Sequence, residues 1–394
     1  MKKIDVIILA GGYGKRIEAF TKKKIPKSLL KIKKKPFLDY LIQTISKFPI
    51  NNIYIISGHK GNLINRRYHN KIINLTNIYC IKEKNPKGTG RALFTVKKKI
   101  KNDFILINGD TFTDFNLNIF FKKKLKKEIL GLMVLTKNYK KSLTKQLTNL
   151  GMTKNGTVIF SKKKKYINAG IIFLKKEIFN ELDPKSFSFE NDILKNLISK
   201  KKILGLKYDK IFIDIGTPKN YILAKKIVSK YFYRPAIFLD RDGVINVDRG
   251  YTYKIKDFTI KKNIIKILKK YQNTHYFFII TNQSGIARGL YKIDDFMKFQ
   301  ENMKIYLSKK EIFINDFEFC PHHPDGNIKK YTKKCQCRKP NNLMITNFQK
   351  KWTINIKKSL FIGDSVTDKI CAQRSNINFA YYNKNLYKNI RKFL

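Results

Sequence analysis

Short apolar runs, most of which end in Gly, Asp, Asn or Thr, recur along the chain and alternate with amphipathic segments. Examples are "DVIILA", "DFILINGD", "PAIFLDRD", "YFFIITNQ" and "KSLFIGDS". Strands that are apolar throughout are buried on both faces, as in parallel sheets covered by helices. Ligands of such sheets bind outside the carboxyl ends of the strands. The sequence therefore predicts α/β sheets with functional groups at their carboxyl edges.

This pattern begins twice, near residue 4 and again near residue 235. With 394 residues, the chain has the length of two ordinary domains. The segment between the two patterns is typical of a helix followed by an aromatic connector that ends at Pro235, and it places the boundary near Tyr231–Arg234. We therefore predict two Rossmann-like three-layer α/β domains, which span residues 1–230 and 235–394.

The chain is strongly basic, with 84 Lys and Arg against 28 Asp and Glu and a formal net charge of +56. Such an excess is common in proteins that bind nucleic acids or membrane surfaces. Here the lysines are spread along the whole chain together with many Ile, Asn, Phe and Tyr, which A/T-rich codons encode. We therefore attribute the charge to base composition. We expect small anionic substrates and neither a nucleic-acid nor a membrane partner.

The amino-terminal apolar run differs from a signal peptide, because it contains Asp5 and is followed by glycines. No apolar run reaches the length of a membrane span. We therefore expect a cytoplasmic protein, in which thiols stay reduced. Five cysteines in that compartment indicate a metal site or chance occurrence rather than a disulfide framework.

A glycine loop, "LAGGYGKRI", directly follows the first apolar run and precedes "IPKSLLKIKKKPFLDYLI". Glycines allow a tight bend that directs backbone N–H groups at a phosphate, and Arg16 and Lys27 add positive charge. The motifs "EKNPKGTGRAL", "LINGDTF", "NAGIIFL", "SFEND" and "IFIDIGTPKNY" follow in order. With these motifs, residues 1–230 resemble the sugar-phosphate nucleotidyltransferases, most closely members that act on heptose or mannose 1-phosphates.

The resemblance implies that an NTP and a sugar 1-phosphate give an NDP-sugar and pyrophosphate. In-line attack on the α-phosphorus needs charge neutralisation and alignment rather than a covalent intermediate. Arg16 and Lys27 would stabilise the phosphates, and Asp110 and Asp214 would hold Mg²⁺. The nucleotide-binding positions would be Leu9, Ala10, Gly11, Gly12, Gly14, Lys15, Gly88 and Thr89, and the sugar-facing positions would be Asn168 and Glu190.

Two positions depart from the family pattern. Lys15 stands where Thr or Ser is usual, and Arg91 stands where Gly is usual. Lys15 keeps an affinity for phosphate, whereas Arg91 lies near the expected base or sugar pocket and leaves the choice of nucleotide open. GTP is the expected donor. The alternative to heptose 1-phosphate is a mannose-like or other sugar 1-phosphate.

The second half opens with "AIFLDRDGVINVD", which places Asp240 and Asp242 at the end of a buried run, where carboxylates are costly unless they are used. Thr281 ends the run "FFIIT", Lys339 follows a cysteine-rich loop, and "IGDSVTD" contributes two further aspartates. These four signatures resemble the haloacid-dehalogenase-like phosphatases. Residues 235–385 resemble, more closely, the heptose 1,7-bisphosphate 7-phosphatases.

This resemblance implies a covalent phosphoryl transfer that depends on Mg²⁺. Asp240 would attack phosphorus, and Asp242 would act first as general acid and then as general base. Asp240, the Asp242 backbone and Asp364 would hold the metal ion. Asp368 would support the site without binding the metal directly.

The resemblance also implies the substrate contacts. Thr281 and Lys339 would bind phosphoryl oxygens, and Arg338 would recognise a second phosphate with its planar guanidinium. Ser365 stands where Lys is common in this family, at the edge of the substrate site. The other substrate-binding positions would be Asp248, Arg249, Gly250, Tyr251, Asn282, Gln283 and Ser284.

The loop "CPHHPDGNIKKYTKKCQCRKP" carries three thiols and two imidazoles. Three thiolates and one imidazole make a closed tetrahedral Zn²⁺ set, and we assign it a structural role. Of the two histidines, we choose His322 as the ligand, and His323 is the alternative. Cys371, on a predicted helix, is assigned to packing. The chosen ligands are Cys320, His322, Cys335 and Cys337.

Together the two halves predict consecutive reactions. The 7-phosphate of a heptose 1,7-bisphosphate is removed, and the resulting heptose 1-phosphate is nucleotidylated. The alternative from another class is a basic, zinc-containing nucleic-acid-binding protein. The spacing of the cysteines differs from that of a C2H2 finger, and no basic recognition helix is predicted. These observations argue against the alternative.

Overall fold

The computed structural model describes residues 4–83, 88–137, 149–163, 165–182 and 187–393, except the side chain of residue 392. Residues 84–87 of the "EKNPKGTGRAL" motif lie outside the described residues. The chain divides into two compact units, one comprising Met1–Ser46 and Ile50–Ser229 and the other Lys47–Pro49 and Lys230–Leu394. Both units are α/β, which confirms the predicted fold class. No described helix is long and apolar enough to cross a membrane.

The first unit contains strands and helices in alternation, together with a π-helical segment at Phe189–Leu194. Its strands are β1 (Ile4–Leu9), β2 (Lys31–Ile32), β3 (Lys35–Pro36), β4 (Ile50–Ser57), β5 (Lys71–Ile73), β6 (Thr76–Lys82), β7 (Phe104–Asn108), β8 (Thr111–Thr113), β9 (Gly131–Thr136), β10 (Leu150–Met152), β11 (Val158–Phe160), β12 (Ile167–Leu174), β13 (Ile203–Lys207) and β14 (Phe212–Asp214). Its helices are α1 (Glu18–Thr21), α2 (Phe37–Ser46), α3 (Gly61–Tyr68), α4 (Thr89–Val96), α5 (Asn118–Lys122), α6 (Lys195–Ser199) and α7 (Pro218–Phe232), whose last residues pass into the second unit.

An eight-stranded mixed sheet organises this unit, in the order β13-β9-β12-β7-β1-β4-β6-β5. Strand β1 pairs in parallel with β4 and β7, and β4 pairs in parallel with β6. Val6, Ile7 and Ile8 are fully buried, as expected for a strand covered on both faces. Because these four strands are parallel, the residues that follow β1, β4, β6 and β7 meet at one edge of the sheet.

The second unit has a simpler alternation of strands and helices. Its strands are β15 (Ala236–Leu239), β16 (Tyr276–Asn282), β17 (Asp316–Cys320), β18 (Leu360–Gly363) and β19 (Asn378–Tyr381). Its helices are α8 (Lys262–Tyr271), α9 (Ser284–Ala287), α10 (Ile293–Lys309), α11 (Leu343–Lys351), α12 (Val366–Arg374) and α13 (Leu386–Asn389).

These strands form a five-stranded parallel sheet in the order β17-β16-β15-β18-β19. Helix α8 buries Ile264, Ile267 and Leu268 completely, and their i, i+3, i+4 spacing is that of a helix packed by one face. The central strand β15 is fully buried, so Asp240 emerges in the middle of the carboxyl edge. Asp240 and Asp364 directly follow β15 and β18, Thr281 lies near the end of β16, and Lys339 lies in the loop after β17. The predicted signatures therefore reach the same edge of the sheet.

Candidate functional site

A buried lysine organises the centre of the second unit. Lys339 is 3% exposed, and its Nζ lies 2.9 Å from Asp240 Oδ2 and 2.6 Å from Asp368 Oδ1. It also donates to the Ile280 carbonyl at 3.2 Å. An ammonium can be buried only with counter-charges of this kind. Burial raises the pKa of Asp240 to about 7, and the Lys339 ammonium opposes this rise.

Three carboxylates of this centre lie close enough to share a metal ion. Asp240, Asp364 and Asp368 each offer an oxygen, and these atoms lie within 4.8 Å of one another. Hard oxygen donors fit Mg²⁺. However, Asp368 Oδ2 already accepts from the Asp364 and Ser365 backbones at 3.2 Å and from Ser365 Oγ at 2.7 Å. This arrangement favours Asp240 and Asp364 as ligands and Asp368 as the supporting residue.

Asp242 is held in place by three neighbouring side chains. Its Oδ2 accepts from Arg241 Nη2 at 2.6 Å and from Gln283 Nε2 at 3.1 Å, and its Oδ1 accepts from Asn246 Nδ2 at 2.9 Å. Arg241 is fully buried and also donates to the Thr252 carbonyl at 2.6 Å. Sequence reasoning missed Arg241 and Asn246, although both stand in "DRDGVIN".

Three side chains at the end of β16 and directly after it contact other protein groups. Thr281 is 1% exposed, and its Oγ1 accepts from Gln283 Nε2 at 2.8 Å. Gln283 Oε1 accepts from the Tyr291 hydroxyl at 2.6 Å. Asn282 brackets the Lys339 main chain, accepting from its N–H at 3.0 Å and donating to its carbonyl at 3.1 Å. Asn282 and Gln283 thus orient Lys339 and Asp242, and their substrate contacts stay predictions.

The predicted substrate loop Asp248–Tyr251 lies beside α9. Its first three residues are exposed, and Tyr251 is 42% exposed with a positive φ of 53°. The Asp248 carboxylate accepts from the Gly250 N–H at 2.9 Å. A Cβ at Gly285 would lie 2.9 Å from the Tyr251 ring, so the loop packs next to Ser284. This places the loop and Ser284 together at the open edge.

The four predicted zinc ligands come together, and they include His322 rather than His323. Cys337 Sγ lies 3.3 Å from both Cys320 Sγ and His322 Nδ1, and Cys320 Sγ lies 3.5 Å from Cys335 Sγ. None of these cysteines forms a disulfide. Hydrogen bonding from Cys320 lowers the pKa of Cys337 to about 5. Soft sulfur and imidazole donors so arranged fit Zn²⁺, which would close the loop.

Cys337 directly precedes Arg338 and Lys339, so a metal ion held by these four ligands would fix the segment that carries both cations. We expect Cys337→Ser to lose bound zinc. Phosphatase activity should fall by about 10–100-fold, because the residues that support the site are no longer held in place. Pyrophosphate release from supplied heptose 1-phosphate and NTP should stay within about twofold. Metal content by mass spectrometry and both activities are the measurements. Cys80→Ser, a buried cysteine of the first unit, is the matched control. An equal loss of both activities would contradict this role.

In the first unit, the two predicted Mg²⁺ carboxylates lie on adjacent backbone. Asp110 forms an ion pair with Lys27. Burial acts to raise the pKa of Asp110, but the Lys27 ammonium outweighs it and the pKa lies below its ordinary value. The Ile215 N–H donates to the Asp110 carbonyl at 2.9 Å, and Asp214 pairs with Thr111 between β14 and β8. The pair offers oxygen donors suited to Mg²⁺.

The glycine loop reaches the same carboxylates. A Cβ at Gly216 would lie 2.8 Å from Asp214 Oδ1 and 3.3 Å from Arg16 Nη2, so these two side chains converge there. Gly14 has a φ of +67°, which favours glycine, and lies against Lys27. The structure therefore brings together the loop, both predicted phosphate-binding cations and both aspartates.

One predicted nucleotide-binding residue, Thr89, contacts one predicted sugar-facing residue, Glu190. A Cβ at Gly88 would lie 2.0 Å from the Phe187 carbonyl, so this close approach requires glycine. Thr89 Oγ1 donates to Glu190 Oε2 at 3.2 Å. Burial raises the pKa of Glu190, and the Asp110 charge adds to the rise. Asn168 is 2% exposed and accepts from the Gly170 N–H at 2.9 Å.

Glu83 belongs to this site, although sequence reasoning assigned it no role. It directly follows β6 and is 7% exposed, and a Cβ at Gly11 would lie 3.1 Å from its Oε2. Burial raises the pKa of Glu83 to about 7. Within the described part of the chain, its carboxylate has no hydrogen-bond or ion-pair partner. The only sequence signal was its place as the first letter of "EKNPKGTGRAL".

The two sites on two α/β units define a bifunctional enzyme with a nucleotidyltransferase and a phosphatase. Residues 5–231 match the family described as Nucleotidyl transferase, and residues 238–391 match the family described as Polynucleotide kinase 3 phosphatase. The chain belongs to the Nucleotidyl transferase family and, through its second unit, to the family of the D-glycero-D-manno-heptose-1,7-bisphosphate 7-phosphatases.

The similar proteins cover the two units separately. The D-glycero-beta-D-manno-heptose-1,7-bisphosphate 7-phosphatase of Photorhabdus laumondii is 38% identical over 144 residues, or 36% of this chain and 77% of that protein. The corresponding alpha enzyme of the same organism is 42% identical over 141 residues, again 36% and 77%. The crystal structure of HddC from Yersinia pseudotuberculosis is 27% identical, with a TM-score of 0.47, covering 57% of this chain and 98% of that one.

Proposed function

We propose that this enzyme makes an NDP-heptose in two steps, with Mg²⁺ in both sites and Zn²⁺ in the cysteine loop. The phosphatase removes the C7 phosphate from D-glycero-D-manno-heptose 1,7-bisphosphate. The transferase then joins the heptose 1-phosphate to the nucleoside monophosphate of an NTP and releases pyrophosphate. The observation that carries the first step is the buried Asp240–Lys339 pair, in a unit 38–42% identical to heptose bisphosphate phosphatases.

The arrangement of the side chains supports the proposed phosphatase step. An Asp240 oxygen attacks phosphorus, and the bond from phosphorus to the C7 oxygen breaks. Asp242, oriented by Arg241 and Gln283, gives its proton to the leaving alkoxide and later takes one from the water that hydrolyses the aspartyl phosphate. Lys339 neutralises phosphoryl oxygens. Mg²⁺ held by Asp240 and Asp364 would offset the repulsion between two anions.

The transferase step needs no covalent intermediate. An oxygen of the sugar phosphate attacks the α-phosphorus of the NTP, and the bond to pyrophosphate breaks in line. Arg16 and Lys27 hold the phosphates, and Asp110 orients Lys27 through their ion pair. Mg²⁺ held by Asp110 and Asp214 would neutralise the charge that develops on the phosphates.

The Glu83 carboxylate, which has no partner among the described residues, supports GTP as the donor. Burial raises the pKa of Glu83 to about 7, and guanine would bind its ionised form, which only accepts hydrogen bonds. The Watson–Crick edge of guanine presents two adjacent donors, N1–H and N2–H₂, whereas the other bases present an acceptor beside each donor. A carboxylate buried against the glycine loop would therefore pair with guanine through two hydrogen bonds. It would leave an acceptor facing an acceptor with any other base.

We expect Glu83→Gln to lower kcat/KM for GTP by about 100-fold. The amide NH₂ of the glutamine would replace one carboxylate oxygen, so that a donor of the side chain would face a donor of guanine in place of a charge-assisted hydrogen bond. Values for ATP and UTP should change by less than about threefold, since they never use the pair. Pyrophosphate release with each NTP measures the effect. Glu128→Gln, an exposed glutamate of the same unit, is the control. A uniform loss with all NTPs would show that Glu83 does not select the base.

The function itself is tested by incubating the full chain with heptose 1,7-bisphosphate, GTP, ATP and Mg²⁺ and measuring product masses. We expect a GDP-heptose, phosphate and pyrophosphate. Mannose 1-phosphate with the same nucleotides is the comparison substrate. Equal rates with heptose and hexose phosphates would contradict the proposed pathway and favour the alternative sugar. Tight, salt-sensitive nucleic-acid binding that survives Asp240→Asn would favour the nucleic-acid alternative.

A further inference from the structure

Two hydrogen-bond donors, on Arg288 and His323, face each other at the cysteine loop (residues 320–340), called the zinc loop below. The Asp325 N–H donates to His323 Nδ1 at 3.1 Å, so that nitrogen is an acceptor and the neutral ring carries its proton on Nε2. His323 Nε2 lies 3.4 Å from Arg288 Nη2, which is always a donor. Two donors at this distance do not satisfy each other. An anionic oxygen set against both nitrogens would accept from each.

No carboxylate of the described residues forms an ion pair with the guanidinium groups of this cluster. Among the described residues, neither Arg288 nor Arg338 forms an ion pair, and Arg288 Nε is buried without a hydrogen-bond partner. Arg338 Nη1 donates only to the His322 carbonyl, at 3.3 Å. The Asp325 carboxylate lies with its Oδ2 3.9 Å from His323 Nδ1, and its side chain is 87% exposed. Guanidinium groups without counter-ions are typical of sites that bind phosphate.

The zinc loop fixes the groups relative to each other. The backbone N–H groups of Asn327 and Ile328 donate to the Ala287 carbonyl at 2.8 and 2.9 Å, and Asn327 Nδ2 donates to the Arg288 carbonyl at 3.4 Å. The loop therefore holds the end of α9, which carries Arg288, while its own last residues carry Arg338. Lys339, the next residue, lies 2.9 Å from Asp240. The cluster is thus built into the same edge as the phosphatase centre.

We propose that Arg288 and His323, together with Arg338, form one phosphate-binding pocket for the phosphate of the sugar bisphosphate that is not hydrolysed. A phosphate dianion has enough oxygens to accept from both guanidinium groups and from the imidazole N–H. The inference rests on the proposed phosphatase step, because it assumes a substrate with two phosphates. It assigns to Arg288 and His323 a role in substrate recognition rather than in chemistry.

The test compares two substrates with the full chain. Removing one charge-assisted hydrogen bond should raise KM for heptose 1,7-bisphosphate by about 10–100-fold in Arg288→Gln, with kcat within about twofold. The value of kcat/KM for heptose 7-phosphate, which lacks the second phosphate, should stay within about twofold. Arg288→Lys should recover part of the affinity, and His323→Phe should show the same selective loss. Arg391→Gln, an exposed arginine of the same unit, is the matched control.

The outcomes separate this pocket from the proposed function. An unchanged KM for the bisphosphate in Arg288→Gln, or an equal loss with both substrates, overturns the pocket. If the unmodified enzyme hydrolyses both substrates with equal kcat/KM, the bisphosphate itself is the wrong substrate and the proposed function fails first. Loss with the bisphosphate alone supports both.

Discussion

Asp240→Asn will stop phosphate release from heptose 1,7-bisphosphate while nucleotidyl transfer continues at its full rate. The amide keeps the size of the carboxylate but is not a nucleophile, so the first bond to phosphorus cannot form. Loss of a nucleophile that acts with an acid–base partner costs at least about 10⁴-fold in kcat. Lys339 also loses one of its two carboxylate partners, but Asp368 still pairs with it at 2.6 Å.

Phosphate release from heptose 1,7-bisphosphate and pyrophosphate release from supplied heptose 1-phosphate and GTP, measured on the same preparation, decide this prediction. Asp294→Asn, an exposed aspartate in the first turn of α10, is the control and should retain both activities. Circular dichroism should show an unchanged fold. Residual phosphatase activity above about one per cent would show that another group attacks phosphorus.

The sequence predicted the elements of this site because each element is local. A buried run followed by an aspartate predicts a strand end with a functional carboxylate, and parallel strands bring such ends to one edge. The structure places Asp240, Lys339 and Asp364 together in this way. The cysteine loop was equally predictable, since two C-x-C or C-x-H pairs define a tetrahedral set without knowledge of the fold.

The side chains that orient this centre could not be predicted in the same way. Arg241 follows Asp240 in the sequence, yet its function depends on complete burial and on the carbonyl of Thr252, eleven residues away. Gln283 was assigned to the substrate, but its amide spans Thr281 and Asp242. Which hydrogen-bond partners a polar side chain finds depends on the packing of distant segments, and a motif contains no information on it.

The same limit applies to Glu83 and Arg288. The carboxylate of Glu83 faces Gly11, more than seventy residues earlier in the chain, only because β6 and β1 are both parallel to the intervening strand β4. Arg288 meets His323 because the zinc loop bonds to the end of α9. Glu83 has no partner among the described residues, and Arg288 and His323 are two donors facing each other. Both become visible only when hydrogen-bond partners are counted in three dimensions.

Asp110→Asn should produce the opposite separation, with nucleotidyl transfer reduced by at least about 10³-fold and the phosphatase unaffected. The amide removes an anionic oxygen from the predicted Mg²⁺ site and the charge that orients Lys27. The low pKa of Asp110 keeps the unmodified carboxylate ionised at neutral pH, so the loss should not depend on pH between about 6 and 8. Glu177→Gln, an exposed glutamate of the same unit, is the control.

The intermediates that accumulate give the sharpest measurement. With heptose 1,7-bisphosphate, GTP and Mg²⁺, Asp240→Asn should leave the bisphosphate unchanged, whereas Asp110→Asn should convert it to heptose 1-phosphate and stop there. A mixture of the two variant proteins should again yield the NDP-heptose, because each supplies the step that the other lacks. If Asp110→Asn alone still forms the NDP-heptose at the normal rate, Asp110 does not hold the metal ion on which the transfer depends.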